Sequence, residues 1–266
     1  MNCEDRRCRS RWRSFSERQN IYGYLLIAPA VISIILLSIY PLLQGIWISF
    51  LNYDMTKASS KLFGTFAGLK NYQVVFSNPK FLNAVGNSVF WTLVNIVAQV
   101  VLALVVALVL NEKLKGRGVF RTIALLPWAI PAAIGALTFS ALYDTKIGII
   151  NVILVKLGIL KEGFSFLGNV QTAMPAVIIA NVWKSTPFLM IFILAALQGV
   201  SYDMYESASI DGAGKWRQFF TITVPLITPV IFYNLVTQLV QAFQEFNGPY
   251  IITQGGPRGA TTLVSL

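Results

Sequence analysis

The chain has 266 residues, of which 55% are apolar and 12% are charged, and its formal net charge is +10. Because soluble domains carry about twice that charged fraction, the composition argues against an ordinary soluble protein. The sequence contains no histidine, which excludes zinc metalloprotease motifs, serine–histidine hydrolase sites and histidine proton relays.

The first predicted element is a basic cytoplasmic tail, residues 1–20, which precedes a long apolar run. A basic segment of this kind also begins secretory signal peptides, but the run that follows is too long and lacks an obvious small-residue cleavage site. We therefore predict an uncleaved membrane anchor. The two cysteines, Cys3 and Cys8, both lie in this tail, and without histidine they predict no zinc site and no other metal site.

Five apolar runs follow, and each is at least as long as the ~20 residues that a helix needs to cross a bilayer. Lys184 is the only charged residue that interrupts the fourth run. The sequence therefore predicts an all-α polytopic membrane protein whose transmembrane domain covers residues 21–266. Its predicted spans are residues 21–50, 87–110, 122–142, 170–202 and 218–244.

Between the third and fourth spans, residues 147–160 form an apolar stretch of only 14 residues. That is too short to cross, so we predict a helix that lies on the membrane surface or packs against the bundle.

Orientation follows from the lysines and arginines near the spans. The N-terminal tail, the loop 111–121 and the polar insert 203–222 are rich in these residues, and they share one side if each run crosses once. We therefore predict a cytoplasmic N-terminus. Topology accounts for the positive charge of the chain, so nucleic-acid binding is not expected.

No phosphate-binding loop of the GxxxxGK[ST] type occurs, no carboxylate lies inside a predicted span, and Glu245 stands at the edge of the last one. Ion-coupled carriers usually place such groups at mid-membrane. The chain is thus predicted to form a path whose energy is supplied elsewhere. A proton- or ion-coupled carrier for a small solute is the alternative, and an enzyme ranks behind both because no catalytic constellation is evident.

The polar insert 203–222 has acidic residues at its start and basic residues after them, which suits the dipole of a short helix. Gly212 and Gly214 permit a tight turn, and Pro225 follows in the first turns of the next span. This pattern predicts a surface helix, a turn and re-entry into the membrane. Composition alone fits an ordinary solvated loop equally well.

The residues of the insert resemble the cytoplasmic EAA loop of ABC importer permeases. The segment runs Glu-Ser-Ala at 206–208, Asp-Gly-Ala at 211–213 and Ile-Thr-Val-Pro at 222–225, with Ser207 and Val224 departing from the usual Ala and Leu. The resemblance implies the ABC importer permease fold and a coupling helix that docks on an ATPase subunit. The implied ATPase-coupling residues are Glu206, Ser207, Ala208, Asp211, Gly212 and Ala213.

Four further segments resemble the carbohydrate-uptake branch of that family, similar to the maltose and glycerol-phosphate permeases. They are GLKNY at 68–72, LPWAIP at 126–131, WKSTPF at 183–188 and TQGGP at 253–257. The last segment taken alone also fits a plain turn. Because this branch has a sixth span after the Gly-Gly-Pro loop, residues 260–266 are expected to start a sixth helix, and both a truncated sequence and a natural end remain alternatives.

The same resemblance implies a solute path lined by mid-membrane residues of the third, fourth and fifth spans. Core or lipid packing is the alternative for the aromatic residues, and an interhelical hydrogen bond is the alternative for Asn181. A charge at mid-span costs roughly 2.5–3.5 kcal/mol on insertion scales, so we expect Lys184 to face a cavity, with Glu245 as a candidate partner. The implied path residues are Trp128, Asn181, Lys184, Ser185, Phe188, Gln241, Gln244 and Glu245.

Membership of this family also implies a set of partners in the inner membrane of a prokaryote. These are a second homologous permease, two ATPase subunits that use ATP and Mg²⁺, an extracytoplasmic solute-binding protein, membrane lipid and a sugar-like solute. The chain itself is expected to bind no cofactor and to catalyse no reaction.

Overall fold

A computed structural model describes residues 22–52, 64–112 and 115–266. The predicted basic tail lies outside the described residues. The chain divides into two compact units, the first ending at Ser77 and the second covering Asn78–Leu266, and each is described by itself.

The first unit is built around one long helix, α1 (Tyr22–Ser49), whose apolar side chains are exposed along its length. Strand β1 (Leu51–Asn52) pairs antiparallel with β2 (Thr65–Phe66), and helix α2 (Lys70–Phe76) follows. The Asn71 side-chain amide donates hydrogen bonds of 2.9 Å to the carbonyls of Ser49 and Leu51. The asparagine of the GLKNY segment thus fixes α2 to the end of the long helix.

The second unit is helical throughout its regular structure. Three long helices capable of crossing a membrane are separated by shorter ones. They are α3 (Pro79–Asn111), α4 (Arg117–Ala129), α5 (Ala132–Leu142), α6 (Ile149–Lys156), α7 (Val170–Gln198), α8 (Tyr202–Ile210), α9 (Lys215–Gln244) and α10 (Asn247–Thr253).

Among the described residues, four helices are long and apolar enough to cross a membrane, namely α1, α3, α7 and α9. The bent pair α4–α5 makes a fifth if it is counted as one span. The prediction of an all-α membrane protein is therefore confirmed, with four spans, or five when the bent pair counts as one.

The core of the second unit lies around α7, which packs against α3 over much of its length. In one apolar cluster, Ala103 and Ala107 of α3 face Leu189 and Ile193 of α7, together with Ile227 of α9. The small alanine side chains let the two helix backbones approach closely, as is typical of membrane helix pairs. A second cluster, around Trp91, Phe139 and Val177, joins α3, α5 and α7.

The third predicted span, residues 122–142, is broken rather than continuous. Helices α4 and α5 meet at an angle of 93°, and Ile130 has an extended backbone with ψ near 131°. The cause is Pro131, because a proline disfavours the helical conformation of the residue before it and lacks the N–H that would continue the helix.

The boundaries around the polar insert also differ from the prediction. Helix α7 ends at Gln198, before the predicted end at residue 202, and α9 begins at Lys215, inside the predicted loop 203–222. Residues Phe219–Thr223 of α9 are π-helical. Pro225 has no N–H for the regular helical bond, and the wider π-helical turn before it accommodates that loss.

The short stretch 147–160 contains α6, as predicted. Its Asn151 is buried and joins the helix to its flanking loops, accepting from the Phe164 N–H (2.9 Å) and donating to the Asp144 carbonyl (3.0 Å). Residues 260–266, where a sixth helix was expected to start, form turns instead. The Thr261 and Thr262 hydroxyls donate to the carbonyls at 256 and 255, a type of side-chain bond that competes with helix formation.

Candidate coupling surface and solute cavity

Helix α8 has well-defined signals at both ends. The Ser201 hydroxyl caps its start by accepting from the Asp203 N–H at 3.3 Å. At its end Gly212 has φ of +78°, the Ala213 N–H donates to the Ala208 carbonyl (2.9 Å) and the Gly212 N–H donates to the Ser209 carbonyl (3.0 Å). These two bonds make a Schellman motif, which stops the helix at the conformation that glycine favours.

The surface of α8 is open. None of its residues is buried, and Tyr202 and Ile210 are 75% and 82% exposed. Of the six predicted coupling residues, Ala208 and Ala213 are half-buried and the others are exposed.

Helix α8 is also attached to the start of α9 by side-chain hydrogen bonds. The Gln218 amide donates to the Ser209 hydroxyl (2.8 Å) and to the Ala213 carbonyl (2.9 Å). The Tyr205 and Thr223 hydroxyls share a bond of 2.9 Å. Sequence reasoning missed Tyr205, Gln218 and Thr223, and their only signal is polarity at the boundary of a span.

Two adjoining cavities lie within the second unit, between α3, α5, α7, α9 and α10. The first is lined by Asn181, Lys184, Ser185 and Glu245 among others, and the second shares three of these and adds Gln241. Five of the predicted path residues are thus brought together. Trp128 and Phe188 line neither cavity and contact each other instead, with ring centroids 5.8 Å apart. Gln244 is exposed and also lines neither cavity.

Buried side-chain amides of α3 form one wall of the second cavity. Asn181 donates to the Asn95 side-chain oxygen at 2.8 Å, and Asn95 donates to the Trp91 carbonyl at 2.8 Å. Asn181 thus makes the interhelical bond considered as its alternative role, and it also lines both cavities. Sequence reasoning missed Asn95, Gln99 and Gln238, all buried in the second cavity's wall. The signal for the first two is a pair of amides four residues apart, hence on one helix face, in an apolar run.

Lys184 stands midway along α7, and its ammonium group donates to the Ile130 carbonyl at 2.9 Å. This carbonyl belongs to the residue at the break between α4 and α5, which leaves it without a helical partner. Glu245 is occupied separately, accepting from the Gly248 N–H at 2.9 Å. Both side chains line the first cavity, but no ion pair joins them in the described part of the chain, where Ile130 rather than the candidate partner Glu245 accepts from Lys184.

The cavities are small, about 60 Å³ and about 30 Å³. A water molecule needs roughly 10–15 Å³ measured in this way, so the two cavities have room for a few waters. A sugar does not fit in them. The polar residues therefore do not enclose a sugar-sized site within the described part of the chain.

Comparison with known proteins shows the family to which the chain belongs. Residues 99–266 match the model of the family described as binding-protein-dependent transport system inner membrane component. The chain is 40% identical to the trehalose/maltose transport system permease protein of Thermococcus litoralis, over 94% of this chain and 82% of that protein. It is 34% identical to the sulfoquinovosyl glycerol transport system permease protein of Agrobacterium fabrum, over 97% and 81%.

The fold agrees with that of a solved transporter. The crystal structure of a bacterial ABC transporter involved in the import of the acidic polysaccharide alginate matches with a TM-score of 0.76 at 24% identity, over 96% of this chain and 84% of that chain. A second structure, the alginate transporter in complex with a pentasaccharide-bound periplasmic protein, matches with a TM-score of 0.72 at 24% identity, over 94% and 81%. The chain belongs to the family of binding-protein-dependent transport system inner membrane components and is a multi-pass permease subunit of an ABC importer.

Proposed function

We propose that this permease carries a sugar or sugar-like solute across the cytoplasmic membrane of a prokaryote, together with a second, homologous permease. An extracytoplasmic binding protein delivers the solute, and two separate ATPase subunits use ATP and Mg²⁺. This chain binds no cofactor of its own. Support comes from relatives named as trehalose/maltose and sulfoquinovosyl glycerol permeases.

The chemistry of the cavity wall suits a sugar. Hydroxyl groups are matched by amides and carboxylates, and sugar faces stack on aromatic rings. Asn181, Ser185 and Glu245 supply the polar groups, and Trp183 lies beside them in contact with Phe139, at a centroid distance of 5.3 Å. The small volume supports a path that a partner permease completes.

The coupling helix links this wall to the energy source. In the proposed mechanism, α8 docks on an ATPase subunit, and closure of the ATPases on ATP moves it. The hydrogen bonds from Gln218 and Tyr205 pass that movement to α9, and the short link 199–201 passes it to α7. Helices α7 and α9 both contribute residues to the cavities, so their movement alternates the access of the path. The basic residues at this end of the spans support a cytoplasmic α8 and N-terminus.

The observation that carries the proposal is the open, Schellman-capped α8, tied to two spans that line the cavity. The test is uptake of labelled sugars into proteoliposomes that contain the assembled transporter, with binding protein outside and ATP inside. We expect uptake that needs both the binding protein and ATP, and that persists when ionophores collapse ion gradients. Uptake driven by an ion gradient without ATP would contradict the proposal.

A further inference from the structure

Arg121, in the second turn of α4, holds the ends of two other helices. Its guanidinium donates to the Leu110 carbonyl at 3.1 Å, in the last turn of α3. With the Gln198 amide oriented so that its oxygen faces the guanidinium, that oxygen accepts from both terminal nitrogens, at 3.3 and 2.5 Å. Gln198 is the last residue of α7.

The position of Arg121 is favourable for α3 and α7, and not for its own helix. A cation near a helix start opposes the helix dipole, whereas a cation at a helix end stabilises it and satisfies carbonyls that lack helical partners. No carboxylate lies within ion-pair distance of Arg121 in the described ranges, so its acceptors are neutral oxygens. The planar guanidinium fork reaches both acceptors at once, which a lysine ammonium does less well.

The C-terminal end of α4 is also held by α7. There the Ile130 carbonyl accepts from Lys184, and between the two ends Leu125 packs into the cluster formed by Leu194 and other side chains of α7. Helix α4 thus runs antiparallel to the second half of α7, with a basic side chain tying the pair together at each end.

These contacts connect the proposed coupling helix with the cavity. Gln198 lies just before α8, which starts at Tyr202, and Lys184 lines the cavity. We propose that α4 acts as a strut that transmits movement from the coupling helix to the cavity wall, and that Arg121 is the positioning residue that fixes its cytoplasmic end. This inference rests on the proposed docking of α8 on an ATPase subunit.

The test compares Arg121→Gln with Arg117→Gln in the assembled transporter. Arg117 is a matched control because it lies on the same helix, is exposed, and its side chain makes no hydrogen bond or ion pair within the described part of the chain. We expect Arg121→Gln to retain the ATPase subunits and basal hydrolysis, while hydrolysis stimulated by loaded binding protein falls roughly twofold to thirtyfold, the range for residues along a coupling path. Arg117→Gln should match wild type, and Arg121→Lys should fall between.

Gln198→Ala serves as a second variant, because it removes the same contact and leaves the Arg121–Leu110 bond intact. Both substitutions remove the same Arg121–Gln198 contact. The double variant Arg121→Gln/Gln198→Ala should therefore lose no more stimulation than Arg121→Gln alone. If Arg121→Gln does not assemble, Gln198→Ala decides.

Three results would each overturn the strut. They are normal stimulation in Gln198→Ala, equal losses in Arg121→Gln and Arg117→Gln, and losses in the double variant that equal the sum of the two single losses. These results can be separated from failure of the proposed docking. If α4 does not transmit movement but α8 docks, substitutions in α8 still change ATPase retention. If α8 does not dock, no substitution in α8 changes ATPase retention.

Discussion

Replacing Lys184 by methionine tests the role of the mid-membrane cation. Two effects on stability oppose each other. Loss of the bond from a charged donor to the Ile130 carbonyl costs about 1.5–3 kcal/mol, and removal of a charge from mid-span gains about 2.5–3.5 kcal/mol on insertion scales. The difference is less than about 2 kcal/mol, so we expect Lys184→Met to insert and assemble normally.

Transport should nevertheless change. If the Lys184–Ile130 bond exists in only one of the alternating states, its loss shifts the balance between those states by about tenfold to 150-fold, the equivalent of the same bond energy. Lys184→Arg is the matched control because it keeps both the charge and a donor for the carbonyl. The arginine variant should therefore retain more uptake than the methionine variant.

The assay measures KM and maximal rate of solute uptake in proteoliposomes, with the amount of assembled transporter determined in the same vesicles. We expect Lys184→Met to assemble at the wild-type level with altered uptake kinetics. Wild-type kinetics in that variant would refute the role of Lys184 in the path.

Two further predictions concern the hydrogen-bond network and an exposed turn. Asn95→Leu removes the oxygen that accepts from Asn181 and should lower the free energy of unfolding by about 0.6–1.7 kcal/mol, measured by thermal unfolding in detergent, whereas an unchanged melting temperature would contradict the network. Backbone N–H bonds from Ile147 and Lys146 lower the pKa of Asp144 below its ordinary value of 3.8. The carboxylate therefore orders the turn at neutral pH, and this order is lost as pH falls through the lowered pKa, so amide exchange of Lys146 and Ile147 should accelerate there relative to Asp144→Asn.

The spans and the coupling helix were predictable because they depend on local signals. Long uncharged runs specify membrane helices whatever they pack against. The acidic start of α8 and Gly212 at its end predict a short helix and a turn, and the structure has Ser201 as the N-cap and Gly212 at φ of +78°. Both features depend on a few neighbouring residues.

The break at Ile130 and the partner of Lys184 depend on tertiary contacts. Pro131 is a visible signal, but Pro127, Pro175 and Pro187 lie inside helices that continue through them, so a proline alone does not locate a bend. The acceptor for Lys184 is a backbone carbonyl, which every residue type offers. For this reason sequence reasoning considered Glu245, the carboxylate at the edge of the last predicted span.

Gly212 provides the most direct test of the coupling surface. The backbone of this chain and a docked interface predict opposite rankings for the harm done by alanine and by aspartate at this position. No heavy atom lies within 4 Å of a Cβ added at Gly212, so a substitution meets only backbone strain of about 1 kcal/mol. Aspartate tolerates the left-handed conformation better than alanine does. The isolated chain therefore predicts that Gly212→Ala is at least as harmful as Gly212→Asp.

Docking on an ATPase subunit reverses this order, since aspartate adds charge and volume to a packed interface. The decisive measurement is ATPase retention and solute-stimulated hydrolysis for Gly212→Ala and Gly212→Asp, each normalised to permease inserted in the membrane. We predict that Gly212→Asp inserts normally but loses ATPase or its stimulation, while Gly212→Ala is affected far less. A Gly212→Asp transporter that keeps its ATPase bound and normally stimulated would contradict the assignment of α8 as the coupling helix.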